Sequence, residues 1–222
     1  MRLLSYNINR FSQEKSDKVI QIEADVYILP ELANKSLVRL PAGYNMEWVG
    51  NFDFKRLGVI WKSGLKVEIP KWFNSKHEYM LPVIIDGILV IAAWPTKTER
   101  NNPKSYPQIA FAAICEYTPY FEQYPVIITG DLNCYKGQSR ETKKYNISSI
   151  VYFLSSLGLV SVYHQLTGEV IGEESTATYY HQFKKDLPFF LDYTFTNIPI
   201  KEYRLMDWDG EVSDHVAQHF EP

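Results

Sequence analysis

The chain has 222 residues, of which 45% are hydrophobic, 15% aromatic and 22% charged, and its formal net charge is −3. This composition excludes a disordered or collagen-like chain, and the slight negative charge argues against a strongly basic nucleic-acid binder with a wide phosphate footprint. The length favours one domain over residues 1–222 with a sizeable core.

The cysteines and the apolar runs limit the cellular setting. Cys115 and Cys134 form no CxxC pair, so the sequence indicates neither a disulfide framework nor a cysteine zinc site. No run of about 18 apolar residues occurs, and residues 1–11 contain no apolar leader. We therefore expect a soluble, cytoplasmic protein.

Short apolar runs, bounded by Gly, Pro, Asn and charged residues, predict strands along the whole chain. In chain order, the predicted strands cover residues 1–8, 26–29, 57–62, 84–93, 126–129 and 190–196. Helices are predicted over residues 16–23, 106–121 and 148–157, the last of which ends at Gly158. Because residues 54–60 and 67–72 resemble the two strands of a hairpin, we expect a layered α/β fold with mixed sheets.

Five short polar segments follow apolar runs, at the ends of predicted strands where loops can converge on a ligand. Mg²⁺ prefers the oxygen ligands that such segments supply, and usually binds through one or two protein carboxylates with a substrate phosphate completing its shell. Clustered carboxylates with few cations between them would repel one another unless a metal were bound. The carboxylates are Glu31, Asp131, Asp192 and Asp214, and the amides are Asn7, Asn9 and Asn133.

His215 directly follows Asp214, and an irregular stretch at residues 210–215 would let both side chains reach one site. A histidine beside carboxylates can be held protonated, or can donate to a developing phosphorane oxygen. Asp131 or Asp192 could orient or deprotonate an attacking water, with Asn133 fixing its position. Each segment alone is more often a turn or a solvated loop, so only their joint occurrence favours a catalytic site.

The order of these motifs over residues 3–215 resembles the DNase I-like endonuclease/exonuclease/phosphatase superfamily, within which the exonuclease III-like branch is one candidate. The resemblance implies a four-layered α/β/β/α sandwich, with two mixed β-sheets packed face to face. It also implies Mg²⁺ as cofactor, with Mn²⁺ as an alternative. The matching residues are Asn7 and Asn9 in the first motif, Glu31 after Pro30, Asp131 and Asn133 in Gly-Asp-x-Asn, Asp192 in x-Asp-Tyr, and Asp214 with His215 in Ser-Asp-His.

The resemblance also implies a role for each matching residue. Glu31 would be the principal metal ligand, supported by Asn7 or Asn9 and by Asp214. Asp131 would position or activate the nucleophilic water, and Asn133 would contact phosphate. Asp192 and His215 would form a paired acid site, in which the histidine bonds the non-bridging oxygen of the scissile phosphate.

Three positions depart from the superfamily pattern. Trp94 stands where many members carry His or Tyr, Phe190 replaces an arginine that often precedes the Leu-Asp-Tyr segment, and Asn9 stands where apurinic endonucleases have Asp. The last two departures weaken a relationship to that subfamily. Trp94 offers only an indole N–H and a stacking face, so a substrate contact and simple core packing are both open to it.

Two basic segments follow the Trp94 strand and the Gly-Asp-Leu-Asn turn, and could draw a polyanion towards the site if they are not merely solvated loops. We therefore expect Trp94, Lys97, Lys136 and Arg140 to contact substrate. The leading hypothesis is a Mg²⁺-dependent phosphodiester hydrolase, with DNA favoured among nucleic acids. The alternatives are a phosphatase or phosphodiesterase acting on a small nucleotide, RNA or a lipid head group, and an inactive member that binds a partner protein.

Overall fold

The computed structural model describes residues 1–52, 55–73, 75–77, 79–97, 104–138 and 141–222. Its helices are α1 (Gln13–Ile20), α2 (Tyr106–Tyr117), α3 (Ile147–Ser156) and α4 (Val162–Thr167). Its strands are β1 (Leu3–Ser5), β2 (Val26–Leu32), β3 (Tyr44–Phe52), β4 (Lys55–Lys62), β5 (Val67–Glu68), β6 (Met80–Ile85), β7 (Ile88–Ala93), β8 (Val126–Asp131), β9 (Val160–Ser161), β10 (Tyr179–Tyr180), β11 (Pro188–Phe189), β12 (Asp192–Thr196), β13 (Glu202–Leu205) and β14 (Gln218–Glu221).

Most of these strands form two six-stranded sheets. The first sheet has the order β13-β14-β1-β2-β4-β3, and the second has the order β5-β6-β7-β8-β12-β9. Within the first sheet β1 and β2 are parallel, and within the second β7 and β8 are parallel, whereas the other pairs are antiparallel. Both sheets are therefore mixed, as the sequence predicts.

Alternating residues of β1 and β2 face opposite sides of the first sheet, because side chains alternate along a strand. Leu3 and Ile28 belong to a core that also contains Ile127 of the second sheet, so this core lies between the sheets. Leu4 and Tyr27 belong to a separate core that includes Val19 of α1. The first sheet is thus buried on both faces.

The second sheet is covered in the same way on its outer face. Ile91 and Ile128 pack there with Ala113 of α2 and Ile150 of α3. Together with the core between the sheets, these contacts give the order helix, sheet, sheet, helix. The expected four-layered α/β/β/α sandwich is confirmed. Among the described helices, which are at most 12 residues long, none combines the length and apolar character needed to cross a membrane.

The helix boundaries follow local capping signals. The predicted helix over 16–23 begins earlier, at Gln13, because the Ser12 side chain accepts a hydrogen bond from the Lys15 backbone N–H and caps the first turn. Asn146 caps α3 in a reciprocal capping box with Ser149. Gly158, with φ of 78°, lies in the left-handed region just after α3, where the sequence predicts the end of the helix.

Two predictions about strands are wrong, one on the extent of a strand and one on the pairing of two strands. The single strand predicted over 84–93 is the hairpin β6–β7, because Asp86 and Gly87 both have positive φ and form a two-residue turn. The segments 54–60 and 67–72 do not pair as a hairpin. Instead β4 pairs with β2 and β3, while β5 pairs with β6 in the other sheet, and Phe54 lies outside the described residues. The chain changes sheets after β4.

Candidate active site

The polar motifs converge where the two sheets meet at one end of the sandwich. Asn7 follows β1, Glu31 lies near the end of β2, and Asp131 ends β8. Asp192 begins the antiparallel strand β12 and is the direct register partner of Asp131. A hydrogen bond of 2.9 Å from Asn7 Nδ2 to Asp131 Oδ2 joins the first sheet to the second. The structure thus brings together residues that are 124 positions apart.

Asp131 is held rigidly at the bottom of the site. Its side chain is 1% exposed, and it accepts hydrogen bonds from Asn7 Nδ2 at 2.9 Å and from the Asn133 backbone N–H at 2.8 Å. Burial raises the pKa of Asp131 to about 7, against the lowering effect of His215. A carboxylate with a pKa near neutrality can accept a proton from water in this setting.

His215 lies between Asp192 and Asp131. Its Nδ1 is 2.9 Å from Asp192 Oδ2, and its Nε2 is 3.9 Å from Asp131 Oδ2. Burial alone would lower the pKa of His215, but the charges of Asp192 and Asp131 raise it to about 9. The imidazole is therefore protonated at neutral pH, with Nδ1–H donating to Asp192.

The backbone on either side of this pair is fixed by buried hydroxyl groups. Ser213 Oγ donates to Asn7 O at 2.6 Å and accepts from the His215 backbone N–H at 3.0 Å, which ties the C-terminal loop to β1. Thr178 Oγ1 accepts from the backbone N–H groups of Leu191 and Asp192. The motifs did not point to Thr178, because a single Thr has no recognisable pattern.

Glu31, Asn9 and Asp214 lie on the open side of the site. Glu31 sits at an irregularity of β2, and its Oε2 accepts from the Arg10 backbone N–H at 3.1 Å. Asp214 is 8% exposed. Burial raises the pKa of Asp214, and Glu31 also raises it, whereas a hydrogen bond with Asn9 lowers it. These side chains present carboxylate and amide oxygens to one volume.

Two groups of residues could hold a divalent cation. Asp131, Asp192 and His215 have ligand atoms within 4.8 Å of one another. In that cluster, however, His215 Nδ1 is already engaged by Asp192, so the imidazole is better suited to proton transfer or to hydrogen bonding. Glu31, Asn9 and Asp214 offer oxygen ligands only, which hard cations such as Mg²⁺ and Mn²⁺ prefer.

Lys15 of α1 supports the open side and is not among the residues that the sequence predicts for the site. Its Nζ donates to Ile8 O at 3.0 Å and to Asn9 O at 2.7 Å, which holds the loop that carries Asn9. Burial lowers the pKa of Lys15, while Asp214 and Glu31 oppose this effect. No motif marks Lys15, since its role depends on how α1 packs against the loop.

Several site residues have a positive φ, a backbone conformation that residues other than glycine rarely adopt. Asn9, Arg10, Glu31 and Asn133 have φ of 42°, 66°, 64° and 52°. Such residues cost about 1–3 kcal/mol each and tend to cluster at functional sites. Gly130, with φ of 144°, is a glycine for a further reason: a Cβ atom there would lie 1.9 Å from Ala93 O. Only glycine lets β8 approach β7 beside Asp131.

The site opens into a cleft of about 460 Å³. Arg10 and Lys55 line this cleft and supply cations, and neither residue is among those that the sequence predicts for the site. The Tyr179 ring lies 4.6 Å from the His215 ring, and its hydroxyl is hydrogen-bonded to His181 Nδ1 at 2.8 Å. The expected site residues that line the cleft are Asn9, Glu31, Asp131, Asn133, Asp214 and His215, while Asn7 and Asp192 lie buried beneath them.

The structure does not place the four residues expected to contact substrate among the described residues that line the cleft. Trp94 is 2% exposed, packs edge-on against Tyr79 and belongs to the core between the sheets, so its ring cannot stack on a substrate. Lys97 is not among the described residues that line the cleft, and its Nζ lies 5.6 Å from the Tyr106 ring. Lys136 lines a neighbouring cavity. Arg140 lies outside the described residues.

No family model and no curated protein matches this sequence. Solved structures do match. The 3′ phosphatase NExo from Neisseria, bound to product DNA hairpin, shows 15% identity and a TM-score of 0.70, covering 100% of this chain and 98% of that one. An AP endonuclease from Archaeoglobus fulgidus shows 15% identity and a TM-score of 0.71, covering 99% and 98%. TDP2 from D. rerio, complexed with single strand DNA product, shows 15% identity and a TM-score of 0.66, covering 99% and 97%.

This chain has the DNase I-like fold. The endonuclease/exonuclease/phosphatase resemblance is therefore confirmed at the level of the fold, over nearly the whole length of each matching chain. At these identities the likeness concerns architecture alone. The chemistry must be argued from the residues of this chain.

Proposed function

We propose that residues 1–222 form a single catalytic domain, a divalent-metal-dependent phosphodiester hydrolase that acts on DNA. The observation that carries this proposal is the buried arrangement of Asp131, His215 and Asp192 at the bottom of a cleft also lined by Glu31 and Asp214. The three structural neighbours support DNA as the substrate, because two contain DNA products and the third is described as an AP endonuclease.

Glu31, Asn9 and Asp214 would hold the metal, Mg²⁺ or Mn²⁺. When bound, the ion supplies positive charge that offsets the charge of the substrate phosphate. Arg10 and Lys55, on the wall of the same cleft, add cations that attract a polyanion. This local arrangement lets a chain with a net charge of −3 bind nucleic acid.

Asp131 acts as the base in this mechanism. A water oxygen attacks phosphorus while its proton passes to Asp131, whose pKa of about 7 suits proton transfer near neutrality. The N–H groups of Asn7 and Asn133 fix the carboxylate so that its orientation does not have to be found during the reaction. The bond from phosphorus to the leaving oxygen breaks, and that oxygen takes up a proton from solvent, which leaves a phosphomonoester and a hydroxyl group.

His215 stabilises the charge that develops on phosphate. Its Nδ1–H is bonded to Asp192, so the protonated Nε2 is available to donate to a non-bridging oxygen. Because Nε2 lies 3.9 Å from Asp131 Oδ2, both residues can act on one phosphate group. Asn133, which also lines the cleft, contacts the same phosphate.

The test is hydrolysis of linear DNA, supercoiled DNA, RNA and an aryl phosphodiester with Mg²⁺, Mn²⁺ or EDTA. We compare the wild type with Glu31→Gln, His215→Ala and the control Glu202→Gln, which changes an exposed glutamate on β13 outside the cleft. Metal-dependent DNA cleavage that falls at least about 100-fold in both site variants, but not in the control, is the expected result.

Other outcomes would redirect the proposal. Cleavage of RNA or of the aryl ester, without cleavage of DNA, would replace DNA with that substrate class while keeping the chemistry. Equal activity in EDTA and in Mg²⁺ would overturn the metal requirement. Inactivity on every substrate, with all variants folded, would favour a member that binds a partner protein.

A further inference from the structure

A second cavity of about 440 Å³ adjoins the cleft. Tyr135 and Phe189 line both spaces, and their ring centroids lie 4.7 Å apart, so these two rings form the wall between them. We call this second space the flanking cavity. Its other lining residues include Lys136, Gly172, Glu174, Thr176, Tyr180 and Lys185.

Two lysines stand at the flanking cavity. Lys136 lies along its wall because Gly172 has no side chain: a Cβ atom at Gly172 would be 2.3 Å from Lys136 Cδ. The Lys136 side chain is 50% exposed, and its Nζ lies 3.7 Å from Glu173 Oε1, an exposed pair that water screens strongly. Lys185 Nζ lies 5.7 Å from the Trp208 ring. Both lysines line the flanking cavity and supply its positive charge.

The wall that carries Gly172 is held in place by hydrogen bonds. Glu174 Oε1 accepts hydrogen bonds from the Gly172 backbone N–H at 2.9 Å and from His164 Nε2 at 3.1 Å. His164 Nδ1 is in turn hydrogen-bonded to Ser161 Oγ at 2.7 Å. Burial would raise the pKa of Glu174, but these bonds lower it. The carboxylate is ionised and engaged by these donors, so it anchors the wall.

The chemistry of the flanking cavity suits a nucleotide. Three aromatic side chains line this cavity, those of Tyr135, Phe189 and Tyr180, and the stacking of a base on aromatic rings does not require a particular base. The Tyr180 ring also packs on the Trp208 ring, with 4.3 Å between their centroids. Lys136 and Lys185 offer cations for a phosphate. A volume of about 440 Å³ falls within the usual range of ligand pockets.

We propose that the flanking cavity binds the nucleotide next to the scissile phosphate, which makes the substrate an oligonucleotide chain with single-stranded character rather than a single nucleotide ester. This inference rests on the proposed function, since it takes the cleft as the place of phosphate cleavage. A chain passing over the wall formed by Tyr135 and Phe189 would place consecutive nucleotides in the two spaces.

The experiment measures the affinity of end-labelled thymidine oligonucleotides of one to four residues in EDTA, by fluorescence anisotropy. The variants are Lys136→Gln, which removes a cation, and Thr176→Trp, which fills the flanking cavity. The control is Lys143→Gln, which removes an exposed lysine of the same basic segment that does not line it. The wild type should gain about tenfold in affinity from the second nucleotide, and only the two cavity variants should lose that gain.

Cleavage in Mg²⁺ is measured beside binding, with the same oligonucleotides and with an aryl ester of thymidine monophosphate. Loss of the length-dependent gain in the cavity variants, with aryl ester cleavage unchanged, would support the inference. If the wild type cleaves DNA but the gain is absent, or persists in both variants, the inference is overturned and the proposed function stands. If the wild type cleaves no substrate, the proposed function fails, and the inference fails with it.

Discussion

On the floor of the cleft, Asp131, Asp192 and His215 are at most 5% exposed and are held by hydrogen bonds from both sheets. On its rim lies His181, the first residue of the connection between the short strands β10 and β11, and residues 181–187 of this connection are all exposed. The floor is thus built from sheet ends in the packed core. The rim is built from a loop that is largely in contact with solvent.

In the proposed function, this difference separates two tasks, catalysis on the floor and substrate binding on the rim. A group that must act on a reacting atom is effective when its orientation is fixed in advance, which the packed floor provides. A surface that binds a long polar substrate needs exposed, charged side chains that extend along it, and exposed loops on a rigid scaffold provide them. Substitutions on the floor should therefore change the rate of reaction, and substitutions on the rim should change affinity.

The largest effect is expected from Asp131→Asn. The amide cannot accept a proton from water, so kcat should fall by about 10²–10⁴-fold while KM changes little. Steady-state kinetics on an oligonucleotide substrate would measure both constants, and thermal unfolding would verify that the variant folds. A larger change in KM than in kcat would place Asp131 in substrate binding and remove it from proton transfer.

The floor could be predicted from the sequence because each of its members occurs in a short motif. Asp131 ends β8, Asp192 begins β12 and His215 lies in the loop before β14, so the fold brings them to one end of the sandwich. Pairing was harder to predict. Asp86 and Gly87 interrupt the apolar run of residues 84–93 and form a turn there, and the polar strand β14, which pairs with β1, carries no strong strand signal.

The rim could not be predicted in the same way. Lys55, which begins β4, and Arg10, in the loop after β1, line the cleft, whereas Lys97 does not, although its segment is equally basic. Trp94 was expected at the substrate, but alternation along the chain places it in the core. Charge and aromatic character alone do not determine which side of a sheet edge a residue faces.

The pH dependence of stability is expected to reveal the histidine of the floor. Because the pKa of His215 is raised from 6.5 to about 9, its protonation stabilises the fold fully below pH 6.5, and this contribution is lost as the pH rises through 9. The pKa of Asp131 is raised from 3.8 to about 7, so its contribution to stability is lost at lower pH, as the pH rises towards 7 and the buried carboxyl ionises. Thermal midpoints in EDTA should therefore fall between pH 7 and pH 9.

His215→Gln should remove most of that fall between pH 7 and pH 9, whereas His181→Gln, which changes a histidine on the exposed rim, should retain it. Calorimetry across this pH range would measure the midpoints of all three proteins. A fall of the same size in His215→Gln would show that another group is responsible, and would remove the basis for a protonated histidine at neutral pH.

The smallest effect is expected on the rim, from Lys55→Gln. Lys55 lines the cleft, with its Nζ 5.4 Å from the Trp94 ring, so its charge should act on the substrate backbone and not on the reacting atoms. Loss of one phosphate contact should reduce the slope of log affinity against log salt by about 1, with kcat little changed. Lys97→Gln is the matched control, because Lys97 does not line the described cleft. Equal slopes in both variants would assign the salt dependence to the general charge of the surface, and the separation of floor and rim would then hold for the chemistry alone.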